Sequence, residues 1–296
     1  SILKHIPEEE LIRISKDTGV DYYTKVLQGK LVFYLLLYGM LKVSKLGQRG
    51  LADAFSSPLF RSIFDFQGKP TISHSSISER LSVIEVNFFK KTYEYLYTIF
   101  SSLYSNKEIA GMYLERVDSS VVKDTSNRLH TEMLYGNEHK KVKALKYTLN
   151  YDGMFASLGS IHTKSSHISE SLCLPENVMK HFKKGKDQST VYLFDRGQCS
   201  ADAFKALNSH KDLWFIGRLS ETRKLKHVKE LNRNDSFTKG VLHKDELVQI
   251  YKFEPSLSKS GKPVNKSVLQ EEEYRVISFT PEDKNNPVVL LTNVLT

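Results

Sequence analysis

Residues 189–195, "STVYLFD", constrain what this chain can fold into more than any other stretch. Apolar side chains fall on successive positions instead of alternating, so a strand formed here must be covered on both faces. The run ends at Asp195, passes through Arg196 and Gly197, and enters "SADAFKALNSHK" (200–211), a helix pattern with Ser200 at its N-cap. "LWFIGRLS" (213–220) is again strand-like. A buried strand, a crossover helix and a second strand specify a parallel pair within a sheet that carries helices.

The preceding segments extend that sheet. "MYLERVDSSVV" (112–122) alternates and reads as a strand ended by Asp118. "VKALKYTLNYDGMFASLGSIHT" (142–163) reads as two strands joined at Asp152-Gly153. "LPENVMKHFKK" (174–184) predicts a helix with Pro175 near its first turn. The order over 112–220 is strand, strand, strand, helix, strand, helix, strand. This is an α/β arrangement: three antiparallel strands, then crossovers that return the chain parallel to the first strand.

Residues 1–110 read as a helical N-terminal domain. "LQGKLVFYLLLYGMLKVS" is apolar on nearly every side and suits a central helix. "RGLADAF", "PLFRSIFDF" and "SHSSISER" are short amphipathic pieces that suit a helix-turn-helix contacting DNA, with Ser75 or Ser76 as a cap and Glu79 after it. Residues 111–220 form the α/β core. Residues 221–296 are mostly β, with strands at "ELVQIYKFE" (246–254), "EEYRVISFT" (272–280) and "PVVLLTNV" (287–294). "SLSKSGKPVNKS" (256–267) reads as a basic loop, and no internal repeat is visible.

Charge and cysteine usage narrow the partners. The formal net charge is +9, which favours a polyanion, with nucleic acid first. The apolar run 31–41 is too short to span a bilayer, and no signal peptide is visible, so no membrane partner is expected. Cys173 and Cys199 lack metal-site spacing, no histidine pattern resembles a zinc site, and a reducing cytoplasmic setting follows.

If the strands at 112–122 and 189–195 are parallel neighbours, Asp118 and Asp195 reach one sheet edge, where ligands of open α/β sheets bind. Aspartate is common after strands, so each acid alone also has a structural reading. Together, two ionised carboxylates about 4 Å apart repel by roughly 4 kcal/mol at an effective dielectric of 20. A proton or a cation must relieve this, and hard oxygen ligands favour Mg²⁺ or Mn²⁺. Two such ions can clamp the attacking and leaving oxygens of a phosphodiester.

"RVDSSVV" at the first acid, "LFDRGQCSADAFKAL" at the second, "WFIGRLS" and "VVLLTNV" resemble the DDE transposases of bacterial insertion sequences, in the branch with a β-rich insertion in the RNase H-like domain. The resemblance covers roughly 25–296. It implies an RNase H-like mixed sheet with flanking helices and a mostly β insertion at 221–296. It also implies metal-dependent cleavage at transposon ends followed by strand transfer into target DNA, with Asp118 and Asp195 as catalytic metal ligands. Arg196 and Gly197 match the motif after the second acid. Arg218 matches the basic residue closing the next strand, where it contacts DNA or pairs with a carboxylate. The basic content of the insertion, with Lys224, Lys226 and Lys262, suits gripping DNA, and a solvated charged face is the other reading of each segment. The resemblance implies double-stranded DNA partners, a nucleoid-associated location and a homodimer.

Two departures stand out. Gln198 occupies a position that is usually aromatic in that family. The third acid, a glutamate on a helix after the insertion, has no counterpart, because only Leu295 and Thr296 follow "VVLLTNV". Glu271, Glu272 and Glu273 lie in a strand pattern before it, and Asp124 and Asp202 read as a loop and a helix-start residue. The expectation is weak or absent activity for this chain by itself. Two alternatives stay open: a non-catalytic DNA-binding transposase remnant, and an RNase H-like nuclease without strand transfer.

Overall fold

The computed structural model describes residues 7–42, 47–103, 107–109, 112–124, 129–137, 139–157, 159–182, 190–195, 200–220, 223–231, 240–258 and 262–295. The chain divides into two compact units, 1–103 and 104–296.

The first unit is helical. It comprises α1 (Glu8–Thr18), α2 (Gly29–Lys42), α3 (Gln48–Ser56), α4 (Pro58–Ile63), α5 (His74–Val83) and α6 (Val86–Leu103). As expected of a helix apolar all round, α2 sits at the centre, with Leu31, Val32 and Leu35 packed among Leu51, Phe55, Phe60 and Ile77. A second cluster joins Leu11 and Ile14 of α1 to Val20 and Phe88. Arg80 of α5 donates to the carbonyls of Leu27 and Val20 at 2.9 and 2.6 Å. The cap of α5 is Ser73, whose Oγ accepts from the Ser76 N–H at 3.1 Å. Ser75 and Ser76, the expected caps, therefore lie inside the helix: Ser73 is the residue with extended backbone before the first turn.

The second unit is a mixed sheet with helices. Its strands are β1 (Lys107–Ile109), β2 (Met112–Lys123), β3 (Leu134–Asn137), β4 (Lys140–Tyr151), β5 (Ser160–His162), β6 (Thr190–Phe194), β7 (Trp214–Arg218), β8 (Leu225–Glu230), β9 (Gly240–Leu257), β10 (Pro263–Pro281) and β11 (Val288–Thr292). They run in the order β3-β4-β2-β6-β7-β11-β10-β9-β8, with β1 also on β2 and β5 also on β4. β2, β6 and β7 are mutually parallel, and β4 is antiparallel to β2. This is the expected α/β order of three antiparallel strands followed by crossovers.

β6 is buried at four of five positions, as its unbroken apolar run demands. Val117, Tyr192, Phe194 and Phe215 pack against Leu174 and Val178 of α7 (Glu170–His181) and Phe204 and Leu207 of α8 (Ala201–Asn208). The rings of Phe204 and Phe215 stack at 5.4 Å. The α8 cap is Ser200, as expected, with its Oγ accepting from the Ala203 N–H at 3.1 Å. The Asp152-Gly153 turn also forms: Asp152 Oδ1 accepts from the Met154 and Phe155 N–H groups, and Gly153 takes φ 97°.

Three boundaries differ from the sequence reading. The helix expected from Leu174 starts at Glu170, so Pro175 lies inside it. β2 does not end at Asp118 but continues to Lys123, held by β4. The loop expected at 256–267 is confined to the tip of a long hairpin, because residues 263–267 pair with 253–257. Residues 221–296, expected as a mostly β insertion, continue the same sheet through antiparallel pairing of β11 with β7.

Candidate active site

The parallel ladder between β2 and β6 ends at the pair Val117–Phe194. The ladder between β6 and β7 ends at Phe194–Gly217. One step further along each strand stand Asp118, Asp195 and Arg218. The register therefore lines up acid, acid and guanidinium across three neighbouring strands, whose axes lie about 4.8 Å apart. Val117, Phe194 and Gly217 belong to the helix-covered face; by strand alternation Asp118 and Arg218 occupy the other. Asp118 and Asp195 are exposed and Arg218 is half-buried.

Local structure explains the opening. β6 ends at Phe194, whereas β2 runs five residues past Asp118 on the support of β4. Among the described residues, β2 beyond Asp118 has no strand partner on its β6 side. That is the crevice at the carboxyl ends of parallel strands where connections diverge.

The strand bearing Asp118 is anchored through its opposite, helix-covered face. Asp118 Oδ1 accepts from the Ser119 N–H at 2.8 Å, and the Ser119 hydroxyl contacts Thr148 Oγ1 of β4 at 2.9 Å. On the helix-covered face Asn150 of β4 donates to Glu115 of β2 at 2.9 Å, and the buried Asn177 of α7 donates to Asn150. This Glu115–Asn150–Asn177 relay ties β2, β4 and α7 together. It is invisible in the sequence because its members are 27 and 35 residues apart.

Arg196, Gly197, Gln198 and Cys199 lie outside the described residues. Lys224 and Lys226 are exposed at and beside β8, and Lys224 Nζ sits 4.5 Å from the centre of the Tyr251 ring. Lys262 closes the β9–β10 hairpin tip, with its carbonyl accepting from the Ser258 N–H at 2.8 Å. The register thus brings Asp118, Asp195 and Arg218 together and leaves the three lysines on the continuation of the sheet. Asp202 pairs with Lys252 at 3.0 Å and Glu272 with Lys205 at 2.9 Å, while Asp124 accepts from the Leu129 N–H at 2.6 Å.

The residues present fit a hard divalent cation: two carboxylates from adjacent strands, exposed to solvent, with the Arg218 guanidinium next in line.

No protein-family model matches the chain. No curated protein matches it either. Among solved structures, the chain is similar to a piggyBac transposase in a synaptic complex with hairpin DNA, with 10% sequence identity and a TM-score of 0.41. The alignment covers 97% of this chain and 58% of that one. Among the described residues, no helix is long and apolar enough to cross a membrane.

Proposed function

We propose that this chain is a transposase-type DNA-processing protein that cleaves phosphodiesters at transposon ends and transfers strands to target DNA. The observation that carries the reading is the row Asp118–Asp195–Arg218, one register step beyond the parallel ladders. The resemblance to the DDE transposases of bacterial insertion sequences supplies the reaction.

In this reading Asp118 and Asp195 hold Mg²⁺ or Mn²⁺. Such ions, when bound, stabilise the charge on the attacking and leaving oxygens. The Ser119 N–H holds the Asp118 carboxylate and the relay beneath steadies the strand that carries it, which limits reorganisation when a phosphate arrives. Arg218 binds a phosphate oxygen of the cleaved strand through charge-assisted hydrogen bonds. Arg196, Lys224, Lys226 and Lys262 hold the duplex by its backbone, and two copies act as a homodimer on paired ends.

The test is Mn²⁺ binding followed by electron paramagnetic resonance in the parent chain, Asp118→Asn and Asp195→Asn. Each variant keeps its side-chain volume and loses a charged ligand. Mn²⁺ affinity should fall by at least about tenfold in both, by analogy with the loss of supporting groups at metal sites. Unchanged Mn²⁺ affinity in both variants refutes the assignment. DNA binding that ignores both variants and added metal would point instead to a non-catalytic DNA-binding remnant.

A further inference from the structure

Away from the acid row, three residues from three elements converge beside the start of α7. His162 ends β5. His167 lies in a short 3₁₀ turn, Ser165–Ile168, and Glu176 lies on α7. The two imidazoles are buried, 6% and 8% exposed, and their rings meet at 4.7 Å. Each turns one nitrogen to the same carboxylate: His167 Nε2 is 3.1 Å from Glu176 and His162 Nδ1 is 3.6 Å from it. The opposite nitrogens, His162 Nε2 and His167 Nδ1, are buried with no hydrogen-bond partner among the described residues. The polar chemistry of both rings is therefore directed to one point.

We propose that His162, His167 and Glu176 form a second metal site that takes a Zn²⁺-class cation, distinct from the hard-oxygen site of the acid row. A tetrahedral zinc with bonds near 2.0–2.1 Å separates its ligand atoms by about 3.3 Å. The two nitrogen-to-carboxylate distances, 3.1 and 3.6 Å, bracket that value, and all three ligand atoms lie within 4.8 Å of one another. Two imidazoles and one carboxylate select zinc or cobalt over magnesium, which requires a shell of oxygens. Glu176 is the exposed member, so the remaining coordination position faces water, as in three-ligand zinc sites.

The electrostatics match. Burial first, then His167, Lys146 and Lys180, holds the His162 imidazole below its ordinary range, and only Glu176 pulls it upward. That direction favours the unprotonated ring, the form that binds a metal. Of the two opposing lysines, Lys146 is the register partner of His162 on β4, and its ammonium donates to the Ile168 carbonyl. A bound ion would clamp β5 to α7, the helix that also carries Asn177 of the relay under β2. The inference does not depend on the transposase reading.

The experiment uses the full chain carrying Asp118→Asn and Asp195→Asn, stripped with chelator, and Co²⁺ as probe. One equivalent of Co²⁺ should bind with the visible absorption of a low-coordinate nitrogen–oxygen site, resist excess Mg²⁺ and be displaced by Zn²⁺. Glu176→Gln, exposed and so compatible with folding, should weaken Co²⁺ binding by at least about tenfold. His167→Asn should do the same. Absence of the Co²⁺ spectrum in the parent overturns the site, as does a spectrum and affinity unchanged by Glu176→Gln. If His167→Asn fails to fold, the Glu176→Gln result decides alone.

Discussion

Asp245→Ala tests how the two strands of the long β9–β10 hairpin are held to each other. Arg275 Nε and Nη2 each donate to the Asp245 carboxylate at 2.7 Å, a bidentate fork. The Asp245 side chain is 5% exposed and that of Arg275 is 24% exposed. The bond to Asp245 is the main reason the guanidinium is held above its ordinary range. Truncating the aspartate strands a largely buried cation. Breaking such a pair from one side costs about 3–5 kcal/mol, and partial access of water to Arg275 favours the lower end, about 3 kcal/mol. In a domain of 150–250 residues each kcal/mol lowers Tm by about 2–4 °C, so the expected drop is about 6–12 °C. Thermal melts by circular dichroism measure it. The informative control is Asp245→Leu with Arg275→Met, which removes both charges and should recover most of the loss. A drop below about 2 °C for Asp245→Ala, or a double variant no better than the single one, would refute the reasoning.

Three other perturbations have defined outcomes. Replacing Lys224 and Lys226 together by alanine should make the salt dependence of duplex-DNA binding shallower by up to about 2 in log–log slope, and an unchanged slope removes both lysines from the interface. Burial raises the Tyr274 phenol above its ordinary value of 10. Below pH 10 both states keep the proton; above it the unfolded chain loses it first, so stability falls as pH rises from 10. Tyr274→Phe should therefore lessen the decline in Tm between pH 9 and pH 11, roughly the window about the phenol's ordinary pKa, and a parallel decline contradicts the sign. Gly240 has φ 139°, and an added Cβ would fall 2.1 Å from the Thr280 carbonyl oxygen. Gly240→Ala should cost more than about 1 kcal/mol in urea unfolding, and a neutral result would show that the strand start shifts freely.

The parts of the fold readable from residues are those where one local signal suffices. The continuous apolar run of β6, the Ser200 cap and the Asp152 turn each have a short-range cause. The parallel register of β2 and β6 follows from strand order once those elements are placed. Other features depend on pairing that no window of sequence contains. Arg218 lines up with Asp195 only because the β6–β7 ladder sets that register. β9 and β10 run to 18 and 19 residues through lysine, serine and glutamate because each strand supplies the other's backbone partners, overriding loop-like composition. Pro175 suggested a helix start, yet Ser169 begins the helix six residues earlier. His162, His167 and Glu176 escape notice because their spacing fits no zinc motif and the turn at 165–168 folds the second ring over the first.

The break in the β9–β10 ladder has an evolutionary consequence. Pairing is continuous from Pro281–Gly240 towards Glu273–Gln249 apart from one shift near Phe279, then resumes at Leu269–Tyr251 after a larger shift. A change of length beyond that shift can be absorbed there, without turning the side chains of Tyr274, Val276 and Ile277 to the wrong face. The distal arm, with Phe253 and Leu257 exposed, can thus change its length and chemistry while the base stays fixed to the core. Selection is free to rewrite what the arm touches without re-solving how the domain folds.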